Sequence, residues 1–207
     1  MDTQLIAFAG VSLLLAVTPG PDMAVVTRNA LAHGRRGVVL TTSGIALALV
    51  IWVTATAVGL SALLRSSGEV LFLLKIVGAC YLAYLGVRTL LESRARPADL
   101  LAATPPAAPA HAVFRQGFLS AISNPKLGVF FVTFLPQFVL PGQPVLPRLL
   151  ELGVTFALIG WIWMNVYGLF VTRLRHVITA PRVRQWMQRV TGVVLLGFGA
   201  RLALERV

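Results

Sequence analysis

Six apolar blocks, each about twenty residues long or more, take up most of this chain, a pattern suited to lipid as the solvent. They run from about Leu5 to Thr27, Val38 to Leu64, Val70 to Leu91, Val113 to Leu140, Leu149 to Thr172 and Trp186 to Leu204. A helix of about twenty apolar residues crosses the hydrocarbon of a bilayer. Only 12% of the 207 residues are charged, where a soluble domain carries about a quarter, so the polar surface is too small to face water on all sides. The expected fold is all-α: a polytopic membrane protein with six transmembrane helices. No Lys or Arg precedes Arg28, so the first block lacks the basic start of a cleavable signal and is expected to stay as a membrane helix.

The first and fourth blocks are broken. Thr18-Pro19-Gly20-Pro21-Asp22 interrupts one, and Asn124-Pro125-Lys126 interrupts the other. Proline removes a backbone donor and glycine weakens the helix. In lipid the freed carbonyls must find partners or line a wet cavity. One break alone reads equally well as a packing kink.

The breaks fall at matching points of two halves. Lys75-Ile76-Val77 through Gly86-Val87-Arg88 to Glu92 aligns without gaps on Gln188-Arg189-Val190 through Gly199-Ala200-Arg201 to Glu205. Pro97, Pro105, Pro106 and Pro109 mark a flexible cytoplasmic linker between the halves. The chain therefore divides into a three-helix repeat over 1–92, a linker over 93–112 and a second three-helix repeat over 113–207. An odd number of helices per repeat inverts one half relative to the other. Inverted repeats with broken helices at matching positions are the mark of a secondary transporter.

The net charge of +11 comes from basic residues between the blocks. With no basic face elsewhere, nucleic acid is not an expected partner. Arg28, Arg35, Arg36, Arg88, Arg94, Arg96, Arg115, Arg173, Arg175, Arg182, Arg184 and Arg189 lie at the odd-numbered loops. Arg65, Lys75, Arg148, Arg201 and Arg206 lie on the opposite side. This excess puts the odd loops in the cytoplasm and both termini outside. A lone cysteine, Cys80, excludes an intrachain disulfide, and His33, His111 and His176 share no ligand spacing. No metal or other cofactor is expected. No nucleophile–base set, phosphate loop or carboxylate pair points to an enzyme.

A charge deep in a bilayer costs about 2.5–3.5 kcal/mol on insertion scales. Asp22 and Lys126 each directly follow the proline of a break. Lys126 is about 16 Å along a helix from Arg115 and precedes an apolar run to Leu135, so it does not easily reach the headgroups. Three arrangements stay open. A zwitterionic substrate has its carboxylate on Lys126 and its ammonium on Asp22; or the two residues pair until substrate or a proton parts them; or they form a static ion pair. Asp22 is the candidate acceptor of a coupling proton. The candidate site comprises Pro19, Gly20, Pro21, Asp22, Asn124, Pro125 and Lys126, with Asn165 added because an amide in lipid needs partners. Thr27, Asn29, Thr42, Ser120 and Tyr167 read as modest interhelical hydrogen bonds. Trp52, Trp161, Trp163 and Trp186 read as interface anchors and lipid-facing bulk.

The ordered set Thr18-Pro19-Gly20-Pro21-Asp22, Ala30-Leu31-Ala32-His33-Gly34-Arg35-Arg36-Gly37, Gly44, Tyr81-Leu82-Ala83-Tyr84-Leu85-Gly86 and Ser123-Asn124-Pro125-Lys126 resembles the lysine-exporter (LysE-type) superfamily. Within it, the set is similar to the homoserine/threonine exporter (RhtB-type) branch. The resemblance covers nearly the whole chain. It implies a bacterial inner-membrane exporter of amino acids, generally driven by the proton gradient. The family motifs map onto Pro19, Gly20, Pro21 and Asp22 and onto Asn124, Pro125 and Lys126.

Two rivals remain on the residues alone. One is export of another small solute or a metal cation, for which only Asp22 and Cys80 are candidate intramembrane ligands. The other is a membrane interaction protein whose proline and Lys126 positions line a protein contact. Stripes of glycine (Gly44, Gly78, Gly86, Gly153, Gly160 and Gly168) let helices approach closely and admit a homodimer.

Overall fold

The computed structural model describes residues 3–63, 108–140 and 142–178 without interruption, with single helical positions between 76 and 91 and between 185 and 200. Among the described residues the regular elements are all helices. They are α1 (Thr3–Val17), α2 (Pro21–Leu63), α3 (Ala110–Ile122), α4 (Pro125–Val129) and α5 (Val145–Ile178). A π-helix (Phe130–Phe134) and a 3₁₀ turn (Leu135–Phe138) follow α4. Pro21–Ser61 and Val145–Arg173 are long and apolar enough to cross a membrane. Ala110–Ile122 and Pro125–Phe138, bent by 45°, make a third such span if counted as one.

The first apolar block ends later than expected. Helix α2 passes Thr27 and Arg28 and stays helical to Gly34, whose backbone (φ 57°, ψ −143°) leaves the helical region. Glycine alone takes that conformation without a steric penalty. The chain doubles back there. In a straight helix residues 29 and 41 would be about 18 Å apart, yet Asn29 Nδ2 donates to Thr41 Oγ1 at 2.9 Å. The expected first loop is therefore a single glycine between two arms, 21–33 and 35–63. Arg28 sits on the first arm, and its guanidinium donates to Gln116 Oε1 on α3 at 2.8 Å.

Three further boundaries move. Helix α3 begins at Ala110, so the expected linker gives up its last residues to a helix, and 93–107 lie outside the described residues. Helix α5 runs to Ile178, which places Arg173 and Arg175 on a helix instead of in a loop. The fourth block is not plain helix. Pro136 has no N–H for the carbonyl four residues back, and its ring crowds that turn; the backbone passes through the π and 3₁₀ stretches around it. The bounds of the third and sixth expected helices lie outside the described residues.

Small residues set the packing. A Cβ on Gly44 would collide with the Phe114 carbonyl, and one on Gly117 with the Thr41 carbonyl, so the second arm of α2 and α3 touch backbone to backbone. Close approach through glycine is the usual device for helices in lipid. Along α5, a Cβ on Gly153 would stand 2.8 Å from Val53, one on Gly160 3.8 Å from Leu49 and one on Gly168 2.5 Å from Val38. Rising numbers on α5 meet falling numbers on α2, so the two run antiparallel. Gly44, Gly153, Gly160 and Gly168 are thus covered by helices of the same chain. Gly86 likewise lies against Gly192 and Leu196, and Gly78 is outside the described residues.

The outward faces are apolar. Ile6, Val50, Val58, Leu158, Ile162 and Phe170 are all exposed, a surface suited to lipid. Trp161 and Trp186 share that exposure. Trp52 does not: its ring stacks on Phe131 at 6.2 Å and its Nε1 donates to the Ala121 carbonyl at 3.2 Å. The reading of Trp52 as a lipid-facing anchor is corrected by that inward packing. Trp163 stacks on Tyr167.

Candidate functional site

Both breaks are built the same way. At the first, α1 ends at Val17 and a new helix starts with Pro21, which places Asp22 second. At the second, α3 ends at Ile122 and α4 starts with Pro125, which places Lys126 second. Proline suits a first helical position, where its missing N–H is not needed. Asn124 is the N-cap of α4: its Oδ1 accepts from the Lys126 backbone N–H at 3.0 Å.

The two broken segments lie side by side and antiparallel. Arg28 meets Gln116, Asp22 meets Ser120 and Asn124, Lys126 meets Leu15 and Thr18, and Phe8 meets Phe130 and Phe138. One set of numbers rises as the other falls, and the breaks come level.

Each charge then crosses to the other segment. The Asp22 carboxylate accepts from Ser120 Oγ at 2.6 Å and from Asn124 Nδ2 at 2.6 Å. The Lys126 ammonium donates to the carbonyls of Leu15 at 3.1 Å and Thr18 at 3.3 Å. Among the described residues no ion pair joins Asp22 to Lys126, although each lies within the other's field. Asp22 (5% exposed) and Asn124 (2% exposed) are buried, whereas Lys126 is half-buried.

Helix electrostatics explain half of this. Asp22 sits in the first turn of α2, where the N-terminal partial positive charge favours an anion. Lys126 sits in the corresponding turn of α4, the wrong end for a cation. Its ammonium is satisfied only by leaving its own helix for the carbonyl end of α1. Pro19 prepares that end: it has no N–H for the Leu15 carbonyl four residues back. Gly20 lies beside it: a Cβ there would be in ordinary contact with Lys126 Nζ, at 3.4 Å.

Layers on either side enclose the charges. Toward the start of α1, Phe8, Phe130, Phe134, Phe138 and Phe156 form a packed aromatic cluster, with Phe130 and Phe156 only 4.5 Å apart. Toward Gly34 the contacts are polar. Thr27 Oγ1 donates to the Met23 carbonyl and shares a 2.7 Å hydrogen bond with Tyr167 Oη. Thr42 Oγ1 lies 3.1 Å from Asn165 Oδ1. Asn165 belongs to this layer: its Nδ2 donates to the Trp161 carbonyl, and no described hydrogen bond ties it to Asp22 or Lys126.

The structure thus brings together Pro19, Gly20, Pro21, Asp22, Asn124, Pro125 and Lys126, and sets Asn165 one layer away. Ser120, by sequence an ordinary interhelical contact, holds one oxygen of Asp22. The Leu15 and Thr18 carbonyls are backbone and carry no residue-type signal. Among the described residues, no three His, Cys, Asp or Glu side chains gather where they would hold a metal ion.

Known proteins supply the rest. The sequence model of one family, described as "LysE type translocator", matches residues 13–206. A "homoserine/homoserine lactone efflux protein" of Salmonella typhimurium is 30% identical over 200 residues, covering 97% of this chain and 96% of its own. A "leucine efflux protein" of Salmonella choleraesuis is 27% identical over 202 residues, covering 93% and 91%. An "uncharacterized membrane protein YrhP" of Bacillus subtilis is 27% identical over 209 residues, covering 98% and 99%. No solved structure matches the chain.

Proposed function

The chain belongs to the LysE type translocator family, and from that premise we propose that it exports amino acids by alternating access, with the two level breaks as its substrate site. It is a multi-pass membrane transporter and not an enzyme. The observation that carries the proposal is the crossing of the charges: Asp22 held from the end of α3, and Lys126 held at the end of α1. Intramembrane charges of this kind mark substrate and ion pathways.

The substrate is homoserine-like or another amino acid. The relatives named for homoserine, its lactone and leucine differ in side chain and in the acid group, and the compounds named share a primary ammonium. Asp22 supplies a buried anion whose field favours such a group nearby. It also serves as the acceptor of a coupling proton, so the proton gradient drives efflux. The two halves act as inverted repeats, a reading supported by the antiparallel pairing of the broken segments. The aromatic cluster and the Thr27–Tyr167 layer open in alternation. The bacterial inner membrane is the setting, with the Gly34 turn in the cytoplasm and both termini outside.

The test is efflux from proteoliposomes loaded with labelled homoserine, threonine, leucine or lysine under an imposed pH gradient. Gradient-dependent loss of at least one amino acid is expected. Retention of the whole panel at the rate of empty vesicles contradicts the proposal.

A further inference from the structure

Resting on that reading, we propose that the carbonyl end of α1 is an ammonium site, held by Lys126 in this structure and yielded to the substrate's own ammonium during transport. Three observations converge on it. Pro19 leaves the Leu15 carbonyl without its helical partner. The Leu15 and Thr18 oxygens already bind an ammonium, at 3.1 and 3.3 Å. Gly20 borders that cation, a Cβ there standing in ordinary contact at 3.4 Å from Lys126 Nζ.

The chemistry of exchange follows. A lysine ammonium and the α-ammonium of an amino acid carry the same charge and the same three donors. Two such cations do not share one pair of carbonyls, because like charges at contact repel. Lys126 is therefore a tethered stand-in for the substrate. When the substrate's ammonium enters, Lys126 is released, and the helix that carries it loses its tie to α1. The loading of the site and the movement of the two broken segments become one event. Recognition in this scheme requires an ammonium, and a free carboxylate is dispensable.

The experiment is equilibrium binding to the full chain in lipid nanodiscs, wild type and Lys126→Met. The ligands are homoserine, leucine, homoserine lactone, leucine methyl ester, n-butylammonium and N-acetyl-leucine. In the wild type, the lactone and the ester are expected to bind within about tenfold of their parent amino acids, with N-acetyl-leucine unbound. Lys126→Met is expected to bind n-butylammonium at least about tenfold more tightly than wild type, because the competing cation is gone. Weaker binding of the amino acids to Lys126→Met, with n-butylammonium unchanged, overturns the proposal and assigns Lys126 to the carboxylate. If Lys126→Met does not fold, the wild type decides: an ester that fails to bind where its acid binds is equally fatal. Failure of every amino acid and every amine to bind the wild type removes the export reading as well. Amino-acid binding without a preference for the ammonium removes this inference alone.

Discussion

Asn124 ties the second break to the first: its amide donates to Asp22 Oδ2 at 2.6 Å while its own carbonyl oxygen caps the helix that carries Lys126. One side chain thereby fixes the position of both charges. Asn124→Ala removes the cap, at a cost of about 1 kcal/mol, and leaves one oxygen of a buried carboxylate unpaired, at a further 1–3 kcal/mol or so. A lower unfolding temperature in detergent and an efflux rate reduced by about tenfold or more are expected. Ser120→Ala removes only one neutral donor and is expected to cost less on both measures. An Asn124→Ala protein as stable and as active as wild type rules out this bridging role.

Ser12 gives the opposite sign. Its hydroxyl is buried with no described partner, a state that costs about 1–3 kcal/mol. Replacing it with alanine leaves no unsatisfied group. Ser12→Ala is expected to unfold at the same temperature as wild type or a higher one. A clear loss of thermal stability shows that the hydroxyl has a partner in the folded protein.

The polar layer near Gly34 is expected to be a light closure. Thr27 spends its proton on the Met23 carbonyl, so Tyr167 is the donor in their shared bond. Interhelical hydrogen bonds of this type average about 0.6 kcal/mol in membranes, or a threefold change in a closed–open equilibrium. Tyr167→Phe is therefore expected to alter the efflux rate by no more than about threefold. Complete loss of transport in that variant shifts the chemistry from the breaks to this layer.

Glycine positions separate packing from open surface. Gly44 has no room for a Cβ beside the Phe114 carbonyl, whereas nothing stands within 4 Å of a Cβ at Gly59. Gly44→Ala is expected to lose monodisperse folded protein on size exclusion. Gly59→Ala is expected to be neutral or stabilising, by at most about 1 kcal/mol. Equal behaviour of the two variants refutes the backbone contact between the second arm of α2 and α3.

Much of this architecture is legible in the chain because lipid leaves few options. Pro19, Pro21 and Pro125 lack donors, so the breaks fall where they stand, and Asp22 and Lys126 follow directly. The turn at Gly34 is less legible. Arg28, Ala30, Leu31 and Ala32 favour helix, so the first arm runs on through residues that read as loop, and only a backbone with positive φ ends it. The π stretch over Phe130–Phe134 has an ordinary helical composition; its one signal is Pro136 a few residues on. The partners of Lys126 are backbone carbonyls, and sequence reasoning about side chains does not reach them. Asn165 looked equivalent to Asn124 as an amide in lipid, yet Thr42 and the Trp161 carbonyl satisfy it in another layer.

The central claim is that the level breaks carry the transported amino acid, and one measurement tests it most directly. Wild type, Asp22→Asn and Lys126→Met are reconstituted at equal density, checked for folded protein, and compared for efflux of whichever labelled amino acid the wild type exports best. The account predicts rates at least about a hundredfold below wild type in both variants. Transport at the wild-type rate in two folded variants contradicts it.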